Sequence, residues 1–404
     1  MNELFETGKK IIKILNGHGF QGYFVGGCVR DVILKRTVND IDITTDALPA
    51  DIESIFEKTI DVGKEHGTII VVMDDSPCEV TTFRVESDYS DHRRPDSVTF
   101  TNELTGDLKR RDFTINAMAM NEDYQLTDPF SGREDLDNRL LRTVGNPDER
   151  FDEDALRILR AVRFMAQLDF SIAMDTVAAM TRKSPHLKHV AVERKLVELR
   201  KIYGRDNILH VKHMLVSTGV KKEMPFLCEI SDNDFLNVIA HSLSGEAAIQ
   251  IYHHPDIEEK LSELKISNEE KSMIKNMTAL LNELNQERDA IKLSYLYSPE
   301  VISTVKTLIE INGSKADDRD CKIQLLIDSL EQSQKLPIKK TTDININGRQ
   351  LMKYFNQEGG IWIKELLGIL EEEILYNRLE NDYDKIVKWI DANVEIETGN
   401  IKVN

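Results

Sequence analysis

Two aspartates separated by one residue are the feature of this sequence with the clearest chemical meaning. Asp40 and Asp42 lie in the segment Asn39 to Ile43, next to a strand predicted from Ile41 to Thr44. Residues i and i+2 of a strand project from one face, which places the two carboxylates side by side. Such like charges repel unless a divalent cation lies between them, and carboxylate oxygens suit Mg²⁺. Asp40 and Asp42 are therefore candidate catalytic metal ligands, although an exposed strand end with two incidental aspartates would look the same.

A candidate phosphate-binding turn lies just before these acids. The apolar strand predicted from Gly22 to Val25 runs into Gly26 and Gly27, and then into a helix with Arg30 in its first turn. Glycines allow close approach of a ligand, and backbone N–H groups and a guanidinium can hold phosphate oxygens. The segment lacks the GxxxxGK[ST] and GxGxxG patterns, and a purely structural turn is the alternative interpretation.

A third carboxylate, Glu79, follows in a predicted hairpin. Strands are predicted from Thr68 to Met73 and from Glu79 to Val85, joined by the polar turn Asp74 to Pro77. The hairpin could place Glu79 beside the aspartates, and three acids could hold two metal ions about 4 Å apart. A glutamate on an edge strand is the structural alternative.

Two further clusters contain arginines, acids and an asparagine at regular spacing. The first is the segment Lys109 to Ala117, with Arg111, Asp112 and Asn116. The second is the segment Glu153 to Phe164, in which Asp154 and Arg157 are predicted to lie at i and i+3 on one helix face. Arg160 and Arg163 continue that stripe, and Phe164 is predicted to be a core residue. An ion pair within a solvated helix face is the alternative interpretation of the second cluster.

The elements that must position these residues indicate an α+β fold. The first 145 residues alternate short β-branched runs with short helices, which predicts a head with a mixed β-sheet, whereas helical spacing continues from about Asp148 to the end. We predict a head at 1–145, a helical neck at 146–204, a helical body at 205–310 and a helical tail at 311–404.

Composition and charge narrow the classes of function. The chain has 404 residues, of which 41% are hydrophobic and 30% charged, and its four cysteines form no CxxC pair. It has no apolar leader or membrane span, so we expect a cytoplasmic protein. The net charge of −18 argues against a general polyanion binder. Residues 157–201, however, contain ten Lys or Arg and four Asp or Glu, a local charge of +6 that allows phosphate contacts there.

The motifs together resemble those of class II tRNA nucleotidyltransferases, the CCA-adding enzymes that belong with bacterial poly(A) polymerases in the polymerase β superfamily. The matching segments are GGCVRD and NDIDI, then RRDFTINA, EDALRILRAVRF and, less closely, AVER at 191–194. The resemblance implies a nucleotidyltransferase head and the addition of C, C and A to the tRNA 3′ end, with CTP and ATP as substrates and pyrophosphate released. It also implies that the tail contacts tRNA, and it suggests a homodimer.

The resemblance assigns a role to each candidate residue. Asp40 and Asp42 would bind Mg²⁺, and Glu79 would orient the metal that activates the terminal hydroxyl. The nucleotide-binding residues would be Gly26, Gly27, Arg30, Arg111, Asp112, Asn116, Asp154, Arg157, Arg160 and Arg163. Asp154 and Arg157 would read the base, because a carboxylate accepts from the exocyclic amine that C and A share, whereas G and U present an oxygen there.

Four other functions are alternatives on the sequence alone. A CC-adding enzyme would lack a loop needed for the last A, and the polar segment Glu86 to Pro95 favours the complete activity. A poly(A) polymerase shares the same head. A silent RNA-binding protein is disfavoured by the presence of every signature residue, and a phosphohydrolase by histidines that show no HD or HxxxH spacing.

Overall fold

The computed structural model describes residues 3–87, 97–204, 207–286, 289–313, 316–397 and 400–403. These residues form two compact units. The first contains the chain up to Asn237 together with 241–243 and 260–265, and the second contains 238–240, 244–259 and the residues from Ile266 onward. No helix among the described residues is long and apolar enough to cross a membrane.

The first unit contains eleven strands and eleven helices among its described residues. The strands are β1 (Gly22–Val25), β2 (Asp42–Thr45), β3 (Thr59–Gly63), β4 (Thr68–Met73), β5 (Ser76–Thr82), β6 (Arg84–Ser87), β7 (Ser97–Phe100), β8 (Ala119–Met120), β9 (Leu126–Thr127), β10 (Leu140–Leu141) and β11 (Ser171–Ile172). The helices are α1 (Glu3–Gly17), α2 (Gly27–Ile33), α3 (Pro49–Ile55), α4 (Leu104–Lys109), α5 (Gly132–Asp137), α6 (Pro147–Glu153), α7 (Leu156–Leu168), α8 (Met174–Lys183), α9 (Val192–Tyr203), α10 (Ile208–Ser217) and α11 (Asp232–Asn237).

A seven-stranded mixed sheet forms the centre of this unit, as the sequence predicted. Its strand order is β3-β4-β5-β2-β1-β8-β9, and β2 and β5 are parallel while the other neighbours are antiparallel. In the register of β2 and β5, Asp42 lies opposite Glu79 and Ile43 lies opposite Val80. Because side chains alternate along a strand, Asp42 and Glu79 share one face and Ile43 and Val80 share the other.

Helix α1 covers the apolar face of the sheet. Phe24 lies opposite Ile43 across β1 and β2, and its ring lies 4.7 Å from the ring of Phe5 on α1. Phe5, Phe24, Ile43 and Val80 are all at most 1% exposed. Burial of these side chains stabilises the unit, since each fully buried apolar side chain contributes about 1.5–3 kcal/mol. Asp42 and Glu79 lie on the opposite face of the sheet.

The predicted hairpin is confirmed, but its turn is shorter than the sequence suggested. Asp74 and Asp75 form the loop with φ values of 51° and 56°, and Met73 pairs with Ser76. Two residues at positive φ give the tight turn that matches the twist of a hairpin. Ser76 and Pro77 therefore belong to β5, and the strand predicted from Glu79 to Val85 is divided between β5 and β6.

Helices dominate the chain after residue 146, as predicted, with two small strand pairs added. In the first unit, β10 and β11 form a short parallel pair. In the second unit, the chain ends in the antiparallel strands β12 (Val394–Glu397) and β13 (Asn400–Val403). The prediction of a wholly helical tail is wrong for these last strands, whose alternation is too short to distinguish from a helix end.

The second unit is otherwise built from helices. They are α12 (Leu243–His253), α13 (Asn268–Glu283), α14 (Ala290–Leu296), α15 (Pro299–Asn312), α16 (Ala316–Gln332), α17 (Gly348–Phe355), α18 (Ile361–Leu375) and α19 (Tyr383–Asn393). The core around α17 to α19 contains Leu351, Trp362, Leu370 and Ile386, which are at most 2% exposed. These apolar positions recur at helical spacing, so each helix buries one face.

Gly132 at the start of α5 offers a test of packing in the first unit. A Cβ at this position would lie 2.2 Å from the backbone oxygen of Thr114. We expect Gly132→Ala to lower the free energy of unfolding by about 1–3 kcal/mol, because backbone must move to admit the methyl group. Gly17→Ala is the matched control, since nothing lies within 4 Å of its Cβ. Thermal unfolding midpoints measure both, and equal midpoints for the two variants would contradict this packing.

Candidate active site

A cleft of about 550 Å³ brings most of the predicted site residues together. The predicted residues in its lining are Gly26, Gly27, Arg30, Asp42, Arg111, Asp112, Asn116, Asp154, Arg157, Arg160 and Arg163. The same lining contains Arg84, Arg110, Leu156, Phe164 and Arg194, which the sequence did not single out as nucleotide-binding. Asp40 and Glu79 lie outside this lining. All of these residues belong to the first unit.

The acidic corner of the site is built on β2 and β5. Burial, together with nearby Asp40, raises the pKa of Asp42, and Arg111 opposes the shift. Partial burial of its carboxyl and the charge of Asp42 raise the pKa of Glu79, while Arg84 lowers it. Asp40 lies in the irregular segment before β2, so the strand geometry predicted for the pair applies only to Asp42. The acids are nonetheless close enough to disfavour each other's charge.

The donor set at this corner fits a divalent cation. Carboxylate oxygens are the ligands that hard cations such as Mg²⁺ prefer, and a cation would offset both the burial and the repulsion that raise the pKa values of Asp42 and Glu79. Asp42 and Glu79 share a sheet face, and Asp40 is near Asp42. Among the described residues, no group of three or more Asp, Glu, His or Cys is already gathered around one point. Asp40, Asp42 and Glu79 are the residues that could hold such a cation.

Gly26 lies between the acidic corner and the arginines. Its φ of 71° is in the left-handed region, which a glycine adopts without strain. A Cβ on Gly26 would lie 3.3 Å from Nη1 of Arg111 and 3.4 Å from Oδ2 of Asp42. The absence of a side chain thus allows a guanidinium and a carboxylate to approach the backbone from the cleft side.

A buried polar chain connects Arg30 with Arg160. Arg30 Nη1 donates to Asn116 Oδ1 at 2.8 Å, and Asn116 Nδ2 donates to Asp112 Oδ1 at 3.1 Å. Arg160 Nε donates to Asp112 Oδ2 at 2.8 Å. Burial alone would raise the pKa of Asp112, but Arg160 and the hydrogen bond from Asn116 lower it to about 2. Asp112 is therefore an anion that fixes its neighbours, and its carboxylate oxygens are already occupied by protein donors.

Phe164 has a second role that its prediction as a core residue did not include. Its side chain is only 4% exposed, yet it lines the cleft. The guanidinium carbons of Arg30, Arg160 and Arg163 lie 5.3, 5.5 and 4.2 Å from its ring centroid. A ring face attracts cations at such distances. Phe164 therefore supports three arginines whose mutual repulsion would otherwise spread them apart.

The structure corrects the predicted Asp154–Arg157 pair. Asp154 lies between α6 and α7, where its Oδ1 accepts from the N–H of Leu156 at 3.0 Å and its Oδ2 accepts from Arg194 at 2.9 Å. Arg157 instead pairs with Glu153 and donates Nη2 to the Arg110 carbonyl at 3.1 Å. The two residues do not lie on one helix face, but both line the cleft.

Helix α9 contacts two residues of the cleft, Asp154 and Arg163. Arg194 contacts Asp154, and Glu198 lies one turn later with its Oε2 2.6 Å from Nε of Arg163. Arg194 belongs to the AVER segment, but the resemblance assigned it no role. Glu198 was missed, although its i+4 spacing from Arg194 is the signal that could have found it.

The sequence matches three protein families in chain order. Residues 22–142 match the poly A polymerase head domain, 169–230 the probable RNA and SrmB-binding site of polymerase A, and 247–390 the putative domain 2 of tRNA nucleotidyltransferase. A mixed-sheet head with such a cleft defines the chain as a nucleotidyltransferase.

Whole-length relatives narrow this class further. The CCA-adding enzyme of Staphylococcus epidermidis is 41% identical over 98% of this chain and 100% of its own, and that of Staphylococcus saprophyticus is 38% identical over 97% and 100%. The crystal structure of the Bacillus stearothermophilus CCA-adding enzyme in complex with CTP matches with a TM-score of 0.83 at 32% identity, covering 97% of this chain and 98% of that one. The chain belongs to the family of CCA-adding enzymes. Nucleotidyltransferases of this polymerase family use a divalent metal ion.

Proposed function

We propose that this enzyme adds C, C and A, one nucleotide at a time and without a nucleic-acid template, to the 3′ end of tRNA. The observation that carries the proposal is one cleft that joins Asp42 of the sheet to Asp154 and Arg157 of the helices. In each step the terminal tRNA oxygen forms a bond to the α-phosphorus of CTP or ATP. The bond from that phosphorus to the β-phosphate oxygen breaks, pyrophosphate leaves, and the hydroxyl proton passes to solvent.

The acids of β2 and β5 are proposed to serve the metal. Asp40 and Asp42 would hold Mg²⁺, and Glu79, opposite Asp42, would orient it. Bound Mg²⁺ supplies positive charge that activates the attacking hydroxyl and stabilises the leaving oxygen. Gly26 and Gly27 admit the nucleotide to the backbone at the entrance to α2.

The arginine network is proposed to bind the triphosphate and the ribose. Arg30, Arg111 and Arg160 line the cleft as forked donors, which suit phosphate oxygens. Asp112 and Asn116 hold Arg30 and Arg160 in place through the polar chain described above. Arg163, stacked on Phe164, would complete this wall.

Asp154 and Arg157 are proposed to select the base. Asp154 accepts from Arg194 and from a backbone N–H, and its remaining lone pairs can accept from the amine of C or A. G and U present an oxygen at that place, which leaves the carboxylate facing an acceptor. An unpaired buried acceptor costs about 1–3 kcal/mol, which corresponds to roughly 5- to 150-fold selection.

The proposal also covers the domain division, the cellular location and the oligomeric state of the protein. The division into head, neck, body and tail at 145, 204 and 310 is proposed to reflect function, with the tail contacting tRNA. Cytoplasmic location suits four cysteines that are all free of disulfides. A homodimer remains a proposal that light scattering can test, and a monomeric mass would contradict it. Most of the segment Glu86 to Pro95, predicted to favour addition of the last A, lies outside the described residues.

The function is tested with a tRNA transcript that lacks its last three nucleotides. With Mg²⁺ we expect two additions from CTP alone and a third only when ATP is also present, followed by a stop, with products sized on a gel. Chelation of the metal by EDTA should abolish extension, and added Mg²⁺ should restore it.

Three outcomes would contradict the proposal in different ways. A stop after two nucleotides with both substrates present would indicate a CC-adding enzyme. A long ladder from ATP would indicate a poly(A) polymerase, and no extension of any kind would indicate an RNA-binding protein.

A further inference from the structure

We propose that Asp107 is a positioning residue of the nucleotide site, which aims Arg111 and Arg110 into the cleft and ties them to the strand that carries Asp42. The inference rests on the proposed function, because it assumes that these arginines face a nucleoside triphosphate. Asp107 is not part of the cleft lining and matched no motif in the sequence.

Asp107 is the buried anchor of the two arginines. It lies on α4 and is 0% exposed. Its Oδ1 accepts from Nε and Nη2 of Arg110 at 2.9 and 2.7 Å, and its Oδ2 accepts from Nη2 of Arg111 at 3.0 Å. Burial of the carboxyl raises its pKa, but Arg111 and Arg110 more than offset this, so the pKa lies below its usual value. Asp107 is thus an anion held between two guanidinium groups.

Two further contacts connect this anchor to the sheet. The hydroxyl of Thr44, two residues after Asp42 on β2, lies 3.4 Å from Oδ2 of Asp107. The backbone N–H of Arg84, at the start of β6, lies 3.4 Å from Oδ1. One carboxylate of α4 therefore contacts the two arginines that follow this helix, strand β2 and the first residue of β6. A displacement of the Asp107 carboxylate would therefore disturb all of these contacts.

The arrangement leaves Arg111 ready for an anionic ligand. Nη2 of Arg111 is held by Asp107, whereas its buried Nε has no hydrogen-bond partner. A buried donor without a partner is costly, and phosphate oxygens would satisfy it. Nη1 of Arg111 lies on the cleft side of Gly26, 3.3 Å from where a Cβ would be. Asp107 thus holds one edge of the guanidinium, while the other edge is available to an anion, as expected of a preorganised anion-binding group.

The anchor also reaches the base-reading side of the cleft. The carbonyl of Arg110 accepts from Nη2 of Arg157 at 3.1 Å. By holding the Arg110 side chain, Asp107 restrains the backbone that Arg157 contacts. Its principal effect is nevertheless expected on the phosphates, because Arg111 contacts Asp107 directly and Arg157 does so only through Arg110.

The test separates phosphate binding from base binding. Dissociation constants for CTP and for cytidine are measured by calorimetry with Mg²⁺ and without tRNA, so that no transfer occurs. We expect Asp107→Asn to weaken CTP binding about 10-fold or more, which is the loss of a charge-assisted hydrogen bond, and to leave cytidine binding within about 2-fold. Asp107→Glu keeps the charge but displaces the carboxylate. Its CTP affinity should therefore lie between that of the unchanged protein and that of Asp107→Asn. Equal losses for CTP and cytidine would overturn the proposal.

A second measurement distinguishes positioning from general damage. If Asp107 acts through Arg110 and Arg111, Asp107→Asn should have little further effect on CTP binding in a background that carries both Arg110→Gln and Arg111→Gln, whereas independent effects would multiply and overturn the proposal. Asp135→Asn is the matched control, because Asp135 is also buried and paired with an arginine, Arg142, but lies outside the cleft lining. Its ratio of CTP to cytidine affinity should equal that of the unchanged protein. If Asp107→Asn does not fold, the ratio of CTP to cytidine affinity is measured on Asp107→Glu instead, and it should be lower than that of the unchanged protein.

Failure of this inference can be told apart from failure of the proposed function. The unchanged protein is assayed with the shortened tRNA in parallel, and its extension to CCA tests the function alone. Suppose that the unchanged protein adds CCA normally and that Asp107→Asn binds CTP as tightly as the unchanged protein does. This result would overturn the role of Asp107 but not the proposed function.

Discussion

Asp42→Asn is expected to reduce nucleotide addition by about three orders of magnitude while CTP still binds. Asparagine keeps the size of the side chain but removes the charge that holds a cation, and metal stabilisation of the transferring phosphate is worth several kcal/mol. The arginines that line the cleft are unchanged in this variant, so the triphosphate retains its principal donors. Single-turnover incorporation of one C measures the loss, and calorimetry measures CTP binding.

The matched control for this variant is Asp75→Asn. Asp75 is exposed in the turn between β4 and β5, and asparagine tolerates its φ of 56° as well as aspartate does. It removes the same charge from the same sheet and should leave incorporation within about 2-fold. Activity of Asp42→Asn within 10-fold of the unchanged enzyme would show that Asp42 is not a metal ligand.

Asp154→Asn is expected to let the enzyme use UTP. The amide keeps an oxygen that can accept from the N–H of Leu156, while the N–H₂ group that replaces Oδ2 no longer accepts from Arg194 and can donate to the oxygen of U. We expect the ratio of kcat/KM for CTP to that for UTP to fall about 10- to 100-fold. Competition between the two nucleotides on a tRNA lacking its last three residues gives this ratio directly.

A neighbouring acid on α6 provides the comparison for base selection. Asp152 pairs with Lys183 at 2.6 Å and does not line the cleft, so Asp152→Asn should leave the ratio unchanged. An Asp154→Asn enzyme that still rejects UTP as strongly as before would place base recognition on other residues.

The alternation of residues along the strands predicted one part of the site, the acidic corner on β2 and β5. The hairpin that brings Glu79 beside Asp42 follows from alternating β-branched residues and a polar turn, and the structure has it in the expected place. Alternation along a strand is a local property, so side-chain direction can be read from it. The same logic failed for Asp40 because β2 begins only at Asp42.

The pairing of charged side chains could not be predicted in this way. The i, i+3 rule assumed one continuous helix through Asp154 and Arg157, but α6 ends at Glu153 and Asp154 has an extended backbone with a φ of −143°. Its partner Arg194 comes from a helix 40 residues later. The contacts of Phe164 and Asp107 likewise depend on distant packing, which the spacing of neighbouring residues does not indicate.

The eight arginines of the cleft belong to a chain whose net charge is −18. An acidic average field repels the RNA backbone, while the cleft attracts it only over about 8 Å at physiological salt. Attraction of a tRNA is therefore confined to local basic regions such as the cleft and residues 157–201. For a catalyst whose substrate and product are polyanions of almost the same size, this general repulsion favours turnover, because it opposes rebinding of a finished molecule that has left the cleft.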